Sequence, residues 1–516
     1  MDVLYTFIGI LLFSGLLNGI FFWNGFVQAN RKAWEAFIPI YGQIIFLKII
    51  ERPWWWVLLL ILPVIGNIMA IVMLYEWLHV FGYRKKRHTA FAVLSLGIFI
   101  LYIHYVAKPQ YVGKDNETIR KSITAWTSAV LFAVVAASFV HTYFMQPFVI
   151  PTSSLEKTLL VGDFLFVSKF HYGVRTPMTP ISMPMVHDSI PVIGTKSYLN
   201  KPQLPYFRLP ALQKIKRNDI VVFNWPTDTV RFFRDQSNIH IDKPIDKKSN
   251  YVKRGVGIPG DSLEIRNGYI YINGQQTTLP DRAKPQYSYI VQTKGVQLPA
   301  DYMYERFDVT DGFGQVQPNV YIFSSLTEEV ANTLKNNPNI ASVERRIEPK
   351  GNYNPTIFPH SAQMPWNEDN YGPIFIPKAG ASTPLSITNL PLYRRIIETY
   401  EGNKLELKDG TIYINDKAAT SYTFKKDYYW MMGDNRHNSE DSRYWGFVPF
   451  DHVVGKPVFI WMSVDQNASG FNKIRWKRLF TTVGGQGEPV SYFTYFLIAL
   501  GLWFGYSTFI RKKKNK

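Results

Sequence analysis

There is no cysteine among the 516 residues. Disulfides, zinc–thiolate centres and thiol nucleophiles are therefore excluded, and the chain carries no redox mark of its compartment. Charge is sparse, at 19% of residues, and acids are outnumbered by bases, leaving a net charge of +18. The basic excess is not laid out as a nucleic-acid surface. It gathers beside apolar spans, in Tyr83-Arg-Lys-Lys-Arg-His88 and Arg511-Lys-Lys-Lys-Asn-Lys516. That placement fits cytosolic membrane flanks and gives no reason to expect a nucleic-acid partner. A mean hydropathy of −0.09 is too polar for a chain lying wholly in a bilayer. With 47% hydrophobic and 16% aromatic residues, the composition fits a membrane protein with a soluble portion. The length exceeds one ordinary domain.

Five apolar stretches are candidate spans. Leu4–Trp23 lacks a basic n-region and a small-x-small cleavage site, so it reads as a retained span rather than a signal peptide. Pro53–Trp77, interrupted by Pro63 and Gly66, reads as one kinked span or a re-entrant hairpin. Phe91–Val106 is short, Thr124–Met145 follows Arg120 and Lys121, and Tyr492–Ile510 precedes the basic tail. These flanks predict that residues 147–490 form one block outside the cytosol. One conflict stays open: both 83–88 and 108–121 look cytosolic, yet the third stretch separates them.

The block between the spans reads as mostly β. Asp219–Asn224, Ser262–Arg266 and Tyr269–Ile272 are strands, the last two joined by Asn267-Gly268, a hairpin turn. Leu405-Glu-Leu-Lys-Asp-Gly-Thr-Ile-Tyr-Ile-Asn415 nearly repeats Leu263-Glu-Ile-Arg-Asn-Gly-Tyr-Ile-Tyr-Ile-Asn273, which suggests one hairpin design used twice in one β body. Between them, Val320–Phe323, a helical Leu326–Leu334 run and Ala341–Arg346 predict a strand–helix–strand insert, and 352–377 reads as loop. The predicted fold class is mixed: N- and C-terminal transmembrane helices flank a mostly-β extracytoplasmic catalytic domain with an α/β insertion. The expected divisions are a membrane region at 1–121, a transmembrane helix at 122–146, catalytic β segments at 147–274 and 401–480, an insertion at 275–400, and a C-terminal helix at 491–510.

Two distant stretches carry the chemistry. Ser154, in Phe148-Val-Ile-Pro-Thr-Ser-Ser-Leu155, is a hydroxyl nucleophile in need of a base. Its turn is shaped by Pro151 and holds two more hydroxyls, Thr152 and Ser153, for a developing oxyanion. The plain alternative is a Ser/Thr helix cap. Lys253, in Tyr251-Val-Lys-Arg-Gly-Val-Gly-Ile-Pro-Gly-Asp261, sits on an apolar β-type run where a neutral amine is favoured. The plain alternative is a strand lysine snorkelling to water. A serine with a lysine base is a known variant of the hydrolytic triad and needs no metal or cofactor. A third stretch, Gly433–Gly446, is dense in polar groups; Asp441 and Arg443 suit an ion pair, and Ser439 is a hydroxyl partner for a neutral lysine. His437 has no catalytic or metal constellation around it.

These stretches resemble the bacterial type I signal peptidases (leader peptidases), which are Ser–Lys endopeptidases. Four segments match in order: Phe148–Phe164, ending in Thr-Leu-Leu-Val-Gly-Asp-Phe; Lys216–Pro226; Tyr251–Asp261; and Gly433–Pro449, with Asp-Ser-Arg-Tyr-Trp-Gly-Phe-Val-Pro intact. The resemblance implies Ser154 as nucleophile, Lys253 as general base, Thr152 and the Ser154 N–H as the oxyanion hole, and Ser439 orienting the lysine. It implies a structural ion pair at Asp441 and Arg443. It places Phe148, Ile150, Leu155, Leu159, Tyr251 and Val252 in the lining of two pockets for small side chains. The implied substrates are signal peptides of exported preproteins, with the lipid bilayer and secretion translocation machinery as partners, no cofactor, and the bacterial cytoplasmic membrane as location. Departures are Thr-Ser-Ser-Leu in place of Ser-Gly-Ser-Met, and Lys157 where the family often has Pro. Two rivals remain. Ser154-Leu-Glu-Lys157 also reads as the Ser-x-x-Lys motif of penicillin-binding proteins, though the chain has no Lys-Thr-Gly or Ser-Asp-Asn. A non-enzymatic envelope scaffold is the other.

Overall fold

A computed structural model describes residues 2–113, 125–230 and 240–507. The flank at Arg120 and Lys121, the start of the fourth span at Thr124, and the 511–516 tail lie outside the described residues. Two compact units emerge, Met1–Phe144 with Thr176–Phe207, and Met145–Arg175 with Arg208–Lys516. The 176–207 segment, expected inside the 147–274 block, clusters with the first unit.

The first unit is helical. Asp2–Gln28 runs 27 residues, about 40 Å at ~1.5 Å per residue. Among the described residues it is the one unbroken helix long and apolar enough to cross a membrane. The second stretch is broken into Trp56–Ile61 and Ile65–Val80, because Pro63 removes a helical N–H and Val64 takes a positive φ of 69°. The third is also broken: Lys86–Leu94 and Ile98–Ala107 meet at a 116° bend, with Leu96 and Gly97 both at positive φ. It does not pass through the fold as one straight helix. Packing centres on Trp77, which stacks on Phe46 at 4.4 Å beside Phe22 and Phe26.

The second unit holds the β body. Strands β1 (Met145–Val149), β2 (Asp163–Ser168), β3 (Ile220–Asn224) and β4 (Asn250–Gly257) share an eight-stranded sheet with four later strands, of which Thr481–Thr482 pairs with Val453–Ser463 off the main path. The order is β1, β2, Val453–Ser463, β3, β4, Tyr428–Met432, Val448–Pro449, antiparallel throughout. The register slips twice between β2 and Val453–Ser463, and again beside β3 and β4. Such bulges add twist and curl the sheet into a half-barrel. The curl closes an apolar interior in which Ile150, Leu155 and Leu165 meet Ile220, Ile460 and Val252. The end of β1 and the start of β4 are thereby brought together across three intervening strands.

Both predicted hairpins form, Ser262–Arg266 with Tyr269–Ile272 and Leu405–Lys408 with Thr411–Ile414. Asn267-Gly268 and Asp409-Gly410 are all at positive φ, the conformation a two-residue hairpin turn requires. Their inward residues, Leu263, Ile265, Ile270 and Ile272 from one and Leu405, Ile412 and Ile414 from the other, enter a single apolar cluster. The region predicted as loop contains one strand, Tyr371–Phe375, recruited by pairing with Ser262–Arg266.

The insertion is larger than the predicted strand–helix–strand. It runs strand Gln286–Thr293, helix Ala300–Phe307, strands Phe313–Gln317 and Val320–Thr327, helix Glu328–Lys335 and strand Ile340–Arg345. In space its strands lie in the order fourth, first, third, second, all antiparallel. This is the split β-α-β, ferredoxin-like arrangement. Met303, Ala331 and Leu334 from its helices cover Tyr287, Tyr289, Val291 and Phe323. Within the stretch expected as a C-terminal transmembrane helix, the described residues hold the helix Phe493–Gly505. The expected stretch to Ile510 continues beyond the described residues.

Candidate functional site

Ser154 sits in a 3-10 turn, Ser153–Leu155, just after β1. Leu155 is 1% exposed and anchors the turn in the half-barrel interior, while Ser154 is 7% exposed. Lys253 lies on β4, paired with Val221 of β3. Both line a cleft of about 630 Å³, together with Thr152, Ser153, Tyr251 and Glu440. Lys253 is only 2% exposed. Burial pushes its amine down to about 8; Asp441 and Glu440 pull the other way without overcoming the desolvation.

The polar loop 433–446 contributes Asn438 and Glu440 to the lining of the same cleft. Asp441 and Arg443 form a buried bidentate ion pair with both N···O distances at 2.9 Å. Burial disfavours the Asp441 carboxylate, but the Arg443 guanidinium overrides that and holds its pKa below the usual range. Asp441 also accepts from the Gly433 N–H at 3.1 Å, folding the loop back on its own strand. Gly433 is needed for close approach. A Cβ there would lie 2.2 Å from Ser439 Oγ and 2.5 Å from the Ser154 carbonyl oxygen. The Ser439 hydroxyl is buried and finds no hydrogen-bond partner among the described residues.

The other predicted residues fall in two groups. Tyr251 lines the cleft, packs on Trp225 and Trp445 at 5.2 and 5.4 Å, and donates from its hydroxyl to Glu440 at 3.4 Å. Ile150, Leu155, Leu159 and Val252 are packed in the half-barrel interior, and Phe148 lies with Val252 against Val167, Val222 and Val454. These five are not on the cleft wall. Lys157, the lysine of the rival motif, is engaged elsewhere. Its amine donates to the Asp308 carbonyl and to Thr310 Oγ1 at 3.3 Å, and pairs with the Asp308 carboxylate at 2.9 Å. Its φ of 68° is closed to proline, so the departure from the family pattern is built into the backbone.

Several contributors escaped the sequence reading. Arg254, next to Lys253, forms a buried bidentate pair with Asp434 at 2.8 and 2.6 Å, and Asp434 also accepts from Thr158 at 2.6 Å. This ties β4, the polar loop and the nucleophile segment together. Arg254 and Asp434 stand beside residues the motifs single out, so adjacency was the available signal. Thr310 and Asp311, from the insertion, also line the cleft. Nothing local in sequence joins them to Ser154.

Residues 123–325 and 419–462 match the signal peptidase family, peptidase S26. Residues 34–114 match a separate family of unknown function, DUF5684. Among curated proteins the chain is 27% identical to signal peptidase I of Buchnera aphidicola subsp. Acyrthosiphon pisum, over 69% of this chain and 79% of that one. It is 25% identical to signal peptidase I of Helicobacter pylori, over 71% of this chain and 94% of that one. Signal peptidase I of Haemophilus influenzae is 24% identical, over 68% and 74% of the two chains. The matched segments carry the cleft-lining serine and the buried lysine, so the similarity to the signal peptidase family, peptidase S26, falls on the site itself.

Proposed function

We propose that this chain is a membrane-bound serine endopeptidase that removes signal peptides from exported preproteins, with Ser154 as nucleophile and Lys253 as general base. The observation that carries the reading is a lysine 2% exposed, its pKa lowered to about 8, lining the same cleft as Ser154. The neutral Lys253 amine takes the Ser154 proton as Oγ attacks the carbonyl carbon at the cleavage site. The Ser154 N–H and the Thr152 hydroxyl stabilise the oxyanion. Collapse breaks the C–N bond, and the Lys253 ammonium returns its proton to the departing amine, the new N-terminus of the mature protein. Water, deprotonated by Lys253, then hydrolyses the acyl-serine ester and releases the signal peptide as a carboxylate. Ser439, whose hydroxyl makes no hydrogen bond among the described residues, would orient the amine, and the Asp441–Arg443 pair stiffens the loop that carries it. Phe148, Ile150, Leu155, Leu159 and Val252 shape the apolar floor beneath the substrate, with Tyr251 at its surface.

The block 147–490 works on the extracytoplasmic side of the bacterial cytoplasmic membrane, held by several spans that include a C-terminal one. Lipid and the secretion translocation machinery are its neighbours there. The test is mass-spectrometric mapping of products from a presecretory protein incubated with wild type and with Ser154→Ala. Cleavage after the signal peptide by wild type alone supports the reading; equal cleavage by both overturns it.

A further inference from the structure

Asn435 is wholly buried and uses its whole amide. Its Nδ2 donates to the Ser153 carbonyl at 3.2 Å and to Asp311 Oδ2, and its Oδ1 accepts from Ser325 Oγ at 2.6 Å. Its backbone N–H donates to the Ser154 carbonyl at 3.1 Å. Asp311 and Ser325 both belong to the insertion. An ionised carboxylate only accepts, so Asp311 forces the NH₂ side of the Asn435 amide toward itself and toward Ser153. A flipped amide would set oxygen against oxygen at both places. The Ser153 carbonyl and the Ser154 N–H belong to one planar peptide, so holding the first fixes the direction of the second.

We propose that Asp311 is a positioning residue: acting through Asn435, it fixes the 153–154 peptide plane and aims the Ser154 N–H at the oxyanion. The inference rests on Ser154 being the nucleophile. It makes the insertion part of the catalytic apparatus. The loop at 308–311 is held to the nucleophile segment independently, by Lys157 at Asp308 and by Thr310 Oγ1 donating to Glu156 Oε1 at 3.3 Å. The charged groups acting most strongly on Lys253 are Asp441, Glu440, Arg443 and Asp434.

The test is steady-state cleavage of a signal-peptide substrate by full-length wild type, Asp311→Ala, Asp311→Asn and Ser325→Ala, with Ser154→Ala as the reference for no catalysis. Affinity for a peptide aldehyde, which forms an oxyanion on the serine, is measured beside affinity for the matching uncleavable peptide. Asp311→Ala is expected to lower kcat about tenfold or more, with KM within about twofold and the acidic limb of the pH profile unmoved. Aldehyde affinity should fall in step with kcat while the uncleavable peptide binds as before. Asp311→Asn, which keeps an acceptor oxygen, should recover part of the loss, and Ser325→Ala should show a smaller loss of the same kind. Thermal unfolding of each variant identifies any loss due to misfolding, in which case Ser325→Ala decides. A change in KM alone, or unchanged aldehyde affinity, overturns the proposal. Cleavage by Ser154→Ala would instead overturn the nucleophile assignment itself.

Discussion

An ammonium buried on β4 works against folding, a cost that the proposed role of Lys253 as base would account for. The drop in the Lys253 pKa from 10.5 to about 8 corresponds to roughly 3 kcal/mol of destabilised ammonium. Because the folded-state pKa is lowered, this penalty is fully present below pH 8 and relieved as pH rises toward 10.5. Lys253→Met should therefore be inactive yet more stable at pH 7, by up to ~3 kcal/mol less whatever attraction to Asp441 and Glu440 is lost. Wild type should close the gap between pH 8 and 10.5, as followed by denaturant unfolding across pH. The same titration sets the rate: kcat/KM should rise with pH along an acidic limb near pH 8. Lys253→Arg keeps the charge but cannot deprotonate, so it should lose nearly all activity. Lys157→Ala should retain much of it, since that amine faces Asp308 and Thr310. Near wild-type cleavage by Lys253→Arg would falsify the Ser–Lys mechanism.

The polar loop 433–446 separates stability from activity as an element. Ser439 carries a buried hydroxyl with no partner among the described residues, and such a group costs free energy rather than contributing it. Ser439→Ala should leave thermal stability unchanged or slightly higher while lowering kcat, if the hydroxyl serves to hold the lysine amine. Equal activity in the variant would remove Ser439 from the mechanism. Gly433→Ala should lower both stability and activity. A methyl group 2.2 Å from Ser439 Oγ and 2.5 Å from the Ser154 carbonyl must push apart the loop and the nucleophile turn. Overpacking of this kind typically costs about 1–3 kcal/mol, read here as a lowered Tm together with lost cleavage. The hairpin turns were legible because Asn-Gly and Asp-Gly favour positive φ on their own. The strand Tyr371–Phe375 was not legible, because its pairing partner, Ser262–Arg266, lies over 100 positions earlier in the chain.

At the scale of the whole molecule, the proposed sidedness has its own check. Protease added to sealed spheroplasts should digest the 147–490 block and spare the 511–516 tail, as read with antibodies to each. A protected block would sink the assigned topology. The apolar floor proposed for the cleft also bears on specificity: substrates with small residues before the cut, Ala-x-Ala-like, should be processed. Replacing the residue just before the cut with Phe should stop cleavage, and equal cutting after Phe would show that the floor residues do not form a small-residue pocket. The spans are the least legible part. Hydropathy located the apolar stretches and Pro63 signalled the break in the second, but the 116° bend at Leu96–Gly97 in the third was not anticipated.

The sequence alone determined the chemical kind of this protein. A serine beside further hydroxyls, a lysine on an apolar run and a Gly-bounded loop with Asp441 and Arg443 are local patterns, and residue identity suffices to name them. It also determined the hairpins and the β character of the block, because turn chemistry and period-two patterning act over a few residues. Only the tertiary structure decided the burial of Lys253, since desolvation depends on what packs over the side chain rather than on its neighbours in the chain. Likewise, only the curl of the bulged sheet brings β4 to the nucleophile turn. The insertion's Asp311 and Ser325 reach Asn435 by the same route: hydrogen bonds over more than 100 residues follow from topology, and no local pattern encodes them.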